Sequence, residues 1–138
     1  MSEPGAFRNF NQTVIDKFRA NGGRVQGWNT LLLLTTIGAK SGKERINPIA
    51  YSQDGDHLVI VASKGGAPSN PDWYFNILAN PIVTVEVGSE RFQARARVAK
   101  GEERDRLYAD HAELMPGFKD YQRKTERRIP VIILERLA

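Results

Sequence analysis

Ile82-Val83-Thr84-Val85-Glu86-Val87-Gly88-Ser89-Glu90-Arg91-Phe92-Gln93-Ala94-Arg95-Ala96-Arg97-Val98 is the stretch on which the fold turns. Its first half is rich in β-branched residues and reads as a strand. Gly88-Ser89 reads as a tight turn. The second half alternates: Phe92, Ala94, Ala96 and Val98 face one way, and Arg91, Gln93, Arg95 and Arg97 the other. Two strands joined by so short a turn must run antiparallel, with one face buried.

Working outward, 31–37 (Leu-Leu-Leu-Leu-Thr-Thr-Ile) reads as a strand buried on both faces or nearly so. A second strand at 46–53 closes on the hairpin signal Asp54-Gly55. Strands follow at 57–62 and 129–137. Four helices are predicted between them. The first carries Phe7, Phe10, Val14, Ile15 and Phe18 at helical spacing and ends at Asn21-Gly22-Gly23, with Trp28 in the linker after it. It is read as packed on the barrel, with a membrane or ligand contact as the alternative. The second covers 71–79 and stops at Asn80-Pro81. The third runs from Gly101 to about Glu113, with Leu107 and Leu114 inward. The fourth covers 118–128, after the Pro116-Gly117 break. Strand-to-helix connections are too few for a doubly wound sheet. The expectation is a mainly β, antiparallel barrel with inserted helices. In a meander, the strand starting at Arg45 would pair with the one ending at Lys64, placing both cations on one rim.

The 138 residues suit one domain, 1–138, with 1–27 as an N-terminal helix plus linker. No cysteine is present, which excludes disulfides and thiolate metal sites. His57 and His111 have no partner at metal-ligand spacing and are read as solvated or capping. No signal pattern opens the chain and no apolar run nears the ~20 residues of a membrane span, so a cytoplasmic protein is expected. A net charge of +4 suits an acidic ligand, an anionic membrane surface or nucleic acid. Arg91, Arg95, Arg97 and the basic run 119–128 lack interleaved exposed aromatics. They read as a solvated face and not as a nucleic-acid surface.

Chemistry concentrates in two turns. Val61-Ala62-Ser63-Lys64-Gly65-Gly66 runs from a strand into a Gly-rich loop. Asn70-Pro71-Asp72 then starts a helix, with Asn70 as expected N-cap. Such a loop lets backbone N–H groups approach an anion, although Asp72 already offers negative charge there. The other turn, Lys40-Ser41-Gly42-Lys43-Glu44-Arg45, sets cations and a serine around a glycine; a plain surface hairpin has the same look. Trp73, Tyr74 and Phe75, with Asn76, could wall a flat heterocycle or belong to the core. Phe75 is assigned to the core and Trp73 is left open. No Ser-His-Asp set, Cys-His set or carboxylate pair can be assembled, so any catalysis would be carried by a cofactor.

These blocks, in order and at these spacings, resemble the deazaflavin (coenzyme F420)-dependent nitroreductase and quinone reductase family. The likeness begins at Leu33-Leu34-Thr35-Thr36-Ile37-Gly38-Ala39-Lys40-Ser41-Gly42-Lys43-Glu44-Arg45 and Asn47-Pro48. It continues through Ala62-Ser63-Lys64-Gly65-Gly66 and the run from Asn70 to Pro81. Asp120-Tyr121-Gln122 and Arg128-Ile129-Pro130-Val131 extend it towards the C-terminus. The resemblance implies a split β-barrel of the flavin-binding type, with the deazaflavin over the backbone of Ala62-Ser63-Lys64 and the acidic tail near the basic turn. The cofactor positions it implies are Ala39, Lys40, Ser41, Arg45, Ile46, Asn47, Pro48, Ile49, Ala50, Val61, Ala62, Ser63, Lys64, Asp72, Trp73, Tyr74, Phe75 and Asn76.

The activity implied is hydride transfer from reduced F420 to a quinone, enone or nitroaromatic, with Met115, Phe118 and Tyr121 at the acceptor and Tyr121 or solvent as proton donor. Met115 and Phe118 stand where nitro-activating members carry tyrosines, so nitroimidazole reduction is not carried over. FMN is the alternative cofactor. A non-catalytic F420, FMN or apolar-ligand binding protein is the alternative function. A monomer or homodimer is expected, with peripheral membrane contact left open.

Overall fold

A computed structural model describes residues 4–27 and 30–137, with side chains from residue 11 onward in the first helix. Trp28 and the Phe7 and Phe10 side chains lie outside the described residues. The elements in order are α1 (Pro4–Ala20), β1 (Leu31–Ile37), β2 (Glu44–Ala50), β3 (Ser52–Asp54) and β4 (His57–Val61). A 3-10 turn (Lys64–Gly66), α2 (Asp72–Ala79), β5 (Ile82–Val87) and β6 (Glu90–Val98) follow. The chain closes with α3 (Gly101–Leu114), α4 (Gly117–Arg123) and β7 (Val131–Arg136).

Seven strands form one sheet in the order β2-β1-β5-β6-β7-β4-β3, and every pairing is antiparallel. The β5–β6 hairpin registers Val87 against Glu90 and Ile82 against Arg95. Its inward alternation holds, with Phe92, Ala94, Ala96 and Val98 all on the barrel core.

The two ends of the sheet order, β2 and β3, are consecutive in the chain and separated only by Tyr51. One bent stretch therefore pairs with β1 through its first half and with β4 through its second. That is how the coiled sheet closes on itself. It also corrects the meander expectation. Arg45 pairs with Thr36 of β1, and pairing with β4 begins only at Ser52 opposite Val59. Arg45 and Lys64 are not hairpin neighbours. Pro48 needs no N–H because β2 lies at the end of the sheet order.

Three apolar clusters hold the layers. Leu32, Leu34, Ile60, Val83, Val85, Ile132 and Leu134 fill the barrel with Trp73 and Ile77 of α2. Val59, Val61, Ile129 and Ile133 meet Leu107 and Tyr108 of α3 on the opposite face. Val14, Ile15 and Phe18 of α1 cover Leu31 and Leu33, so β1 is buried on both faces as its run of leucines requires. The Arg19 guanidinium pairs with both carboxylate oxygens of Glu86, at 3.0 and 2.9 Å, tying α1 to β5.

Several side-chain expectations fail. Leu114 is 67% exposed, because α3 buries the stripe Arg104, Leu107, Tyr108, His111 and Ala112 and position 114 falls off it. His111 is fully buried, neither solvated nor capping. Phe75 is not core: α2 buries Trp73, Asn76 and Ile77, which turns Phe75 out to 48% exposure. Asn70 does not cap α2. Pro71 precedes the helix without a side-chain cap bond, since the Asn70 amide oxygen accepts from Arg127 instead.

Candidate functional site

A cleft of about 670 Å³ opens between the β1–β2 turn and the start of α2. Asn76 builds it. Its amide oxygen accepts from the Ala39 N–H at 2.9 Å and its NH2 donates to the Thr36 hydroxyl at 3.1 Å. This buried amide fixes helix to turn, leaving Lys40, Ser41 and Arg45 on the rim. The turn closes on itself through Gly42 N–H to Gly38 C=O at 2.9 Å and Gly38 N–H to Lys43 C=O at 2.8 Å. A Cβ on Gly38 would lie 2.4 Å from the Ser41 hydroxyl, so a side chain there would displace Ser41 from the rim. Lys40 and Arg45 form no ion pair among the described residues. Asp72 is the carboxylate on the cleft wall.

The second cleft, about 520 Å³, is lined by Gly27, Thr30, Ala50, Leu114, Met115, Pro116, Gly117, Phe118 and Tyr121. The α4 side chains Phe118 and Tyr121 stack edge to face, with ring centroids 5.0 Å apart. The Tyr121 hydroxyl takes part in no protein hydrogen bond among the described residues. Strand β2 links the two clefts, from Arg45 and Asn47 in the first to Ala50 in the second. Five residues of strand span about 16 Å.

The 61–70 loop is shaped by a residue that the sequence reading passed over. Arg127 donates to the carbonyls of Ala62 (3.2 Å), Ser63 (2.7 Å) and Ala67 (2.8 Å) and to the Asn70 amide oxygen (2.6 Å). Burial pushes its pKa down from the usual guanidinium range. The loop also seats α4: a Cβ on Gly66 would lie 2.9 Å from the Tyr121 carbonyl and 3.0 Å from the Lys124 Cβ.

Behind the second cleft, His111 Nδ1 lies 2.7 Å from the Ser52 hydroxyl, and Nε2 has no hydrogen-bond partner among the described residues. The imidazole stands perpendicular to the Phe118 ring at 4.4 Å. Burial alone pushes its pKa down to about 4, so the ring is neutral at pH 7. The Tyr108 hydroxyl donates to the Phe118 carbonyl, and burial raises the Tyr108 pKa. The α3 stripe that contains Leu107 and His111 carried the signal for this placement, because residues four apart share a helix face.

The sequence-named positions divide between these places. Ala39, Lys40, Ser41, Arg45, Asn47, Asp72, Trp73, Phe75 and Asn76 meet in the first cleft, with Gly38 as an addition. Met115, Phe118 and Tyr121 meet in the second, together with Ala50. Ile46 faces the α1 layer, Ile49 and Ala62 face the barrel core, and Val61 sits under α3. Pro48 stands in β2 opposite Leu33. Ser63 is buried, while Lys64 is exposed and donates to the Ser69 hydroxyl at 3.3 Å. Tyr74 packs against the barrel core and borders a smaller recess with Arg104 and Arg128. The 119–128 run is not wholly a solvated face, since Arg127 turns inward.

A family model described as F420H(2)-dependent quinone reductase matches residues 7–136. An F420H(2)-dependent quinone reductase of Mycobacterium tuberculosis (strain ATCC 25618 / H37Rv) is 42% identical over 118 residues, covering 83% of this chain and 79% of that protein. A solved F420-H2 dependent reductase (FDR-A) superposes with a TM-score of 0.72 at 42% identity, covering 82% of this chain and 100% of that one. Another solved chain, described as a domain-swapped dimer, gives a TM-score of 0.74 at 37% identity, covering 96% of this chain and 100% of that one.

Proposed function

The chain belongs to the F420H(2)-dependent quinone reductase family, and on that premise we propose that it moves a hydride from reduced F420 to a quinone-type acceptor, with enones and nitroaromatics as further acceptors. The donor set fits the cofactor. Lys40 and Arg45 form no ion pair among the described residues, and with the Ser41 hydroxyl they suit a phosphate and a string of carboxylates. This unpaired cationic rim, linked by β2 to an apolar cleft with a free phenol, carries the reading. In it, 1–138 act as one F420-binding domain.

Bound F420 supplies the hydride; the chain supplies everything else. The first cleft would hold the acidic tail through Lys40, Ser41 and Arg45. The backbone of Ala62-Ser63-Lys64 would face the deazaflavin. Phe118, Met115 and Ala50 would exclude water around the acceptor. A quinone gains two electrons with the hydride and needs one more proton, and the Tyr121 O–H stands free to donate it or to stabilise the developing oxyanion. Among the described residues no helix is long and apolar enough to cross a membrane. A homodimer is the proposed assembly, supported by the relative described as a domain-swapped dimer; light scattering tests it.

Direct titration with F420 and with FMN tests the cofactor. F420 is expected to bind more tightly, because its longer acidic tail reaches both cations. Equal or tighter FMN binding would refute the assignment. Loss of reduced-F420 signal on adding a quinone then separates a reductase from a protein that only binds the cofactor.

A further inference from the structure

Three arginines sit at the end of α4 and in the segment that joins it to β7, and they behave differently. Arg123 and Arg128 leave their side chains 78% and 60% exposed. Arg127 turns its guanidinium onto the Gly-rich loop and uses Nε and both terminal nitrogens on four acceptors: the carbonyls of Ala62, Ser63 and Ala67 and the Asn70 side chain. No carboxylate shares it among the described residues. A partly buried cation set against neutral oxygens gains no charge pairing. What it does gain is control over where those carbonyls point.

That control has a consequence on the opposite side of the loop. A trans peptide holds its C=O and the next N–H antiparallel. With the Ala62 and Ser63 carbonyls drawn to Arg127, the N–H groups of Ser63 and Lys64 point away from it. Neither donates to a protein acceptor among the described residues. The backbone then continues through positive φ at Lys64 (48°), Gly65 (64°) and Gly66 (85°). For Lys64 this is a conformation that L side chains rarely adopt. The loop is thus held in a form that leaves two adjacent donors without partners.

We propose that Arg127 is a positioning residue for the cofactor: by drawing in the Ala62 and Ser63 carbonyls it aims the Ser63 and Lys64 N–H groups, as a pair, at the acceptor-rich edge of the deazaflavin ring. This rests on the assignment of F420 as ligand. It gives the headgroup a recognition element separate from the Lys40 and Arg45 rim, which would serve the tail. A lysine cannot replace the arginine, because one ammonium cannot span four dispersed acceptors that a planar fork reaches together.

Arg127→Lys is the test, with Arg104→Lys as its control. Arg104 donates twice to the Ile129 carbonyl and once to Gln122, so it pins the same segment without touching the loop. Two probes are titrated: F420, and the deazaflavin with its ribityl chain but no phosphate or glutamate. Arg127→Lys is expected to weaken both by the same factor, about tenfold or more. Arg104→Lys is expected to lower the melting temperature and leave both affinities unchanged. In the parent protein, the backbone amide resonances of Ser63 and Lys64 should shift strongly on adding the short probe, a readout independent of whether any variant folds. Parent-like binding of the short probe by Arg127→Lys overturns the proposal. So do amide resonances that stay still in the parent, or affinity losses that merely track melting temperature in both variants. If the parent binds neither probe, it is the F420 assignment itself that fails.

Discussion

Acidification through the titration of His111 should destabilise this protein from behind its second cleft. The imidazole is fully buried, and among the described residues it hydrogen-bonds only with the Ser52 hydroxyl, leaving Nε2 unbonded. Burial alone holds its pKa at about 4, against 6.5 for a free imidazole. Between those values the unfolded chain binds a proton that the folded chain refuses. Stability therefore rises with pH across the window; it is fully present above about 6.5 and lost as pH falls to about 4. The slope approaches about 1.4 kcal/mol per pH unit, so roughly 2 kcal/mol disappears between pH 7 and pH 5, and about 3 kcal/mol over the whole range. Asp54, Glu103 and Asp105, held low by Arg106, Arg97 and Arg128 respectively, lose their contributions only at lower pH. Urea unfolding at pH 7, 6 and 5 isolates the histidine. His111→Gln stays neutral and can still meet Ser52, so its stability should be nearly flat over that range, whatever its absolute value. Equal losses in parent and variant would refute the reasoning, as would a His111 imidazole resonance, assigned by its absence from His111→Gln, titrating near 6.5 in the folded protein.

Arg45→Ala and Lys64→Ala should leave stability within about 0.5 kcal/mol, while Arg45→Ala weakens F420 binding roughly tenfold to a hundredfold through one lost charge-assisted contact of about 1.5–3 kcal/mol. Lys64→Ala is expected to weaken it as well, and parallel titrations with melting curves would expose an anion site elsewhere if both variants bind as the parent does. Gly66→Ala should destabilise by more than about 1 kcal/mol, since it adds a clash with the Tyr121 carbonyl to a positive φ. Gly65→Ala meets nothing within 4 Å and should cost less, so equal urea midpoints for the pair would contradict the seating of α4 on the loop. Tyr121→Phe should lower kcat about tenfold or more with F420 affinity little changed; parent-rate turnover of quinones would mean that water supplies the proton.

The fold was legible because its signals are local and repeated. The 82–98 hairpin states antiparallel pairing in its own alternation, the four leucines of β1 require cover on both faces, and Phe18 with Ile15 and Val14 marks the stripe that α1 lays over them. What the sequence could not announce was the sharing of one strand between both ends of the sheet. Residues 46–53 read correctly as a single extended run, but pairing partners are set by how far the sheet coils, and no residue type encodes that. The meander therefore put Arg45 opposite the wrong strand. The first cleft still assembled from its named residues, since the turn and α2 are joined by the Asn76 amide and not through the pairing of β2 with β4.

The polar misses share one physical cause. Asn70, Arg127 and His111 carry polar side chains whose partners lie 57 to 65 residues away: Arg127 for Asn70 and Ala62 for Arg127 at the two ends of that range, Ser52 for His111 between them. Local rules give such residues local duties: Asn before Pro as a cap, Arg in a basic run as solvated surface, His on a charged helix as exposed. Each rule compares a side chain with its sequence neighbours or with water. A buried backbone carbonyl or hydroxyl left unpaired costs about 1–3 kcal/mol, more than a capping bond worth about 1 kcal/mol returns. Once the barrel and helices close, the distant acceptor wins and the local duty is abandoned. In this chain Arg127 spends that commitment on the 61–70 loop, where backbone must be held that no ladder can satisfy. A polar residue that deserts its local role therefore points to the backbone most in need of support, and here that backbone is the loop beneath the proposed deazaflavin.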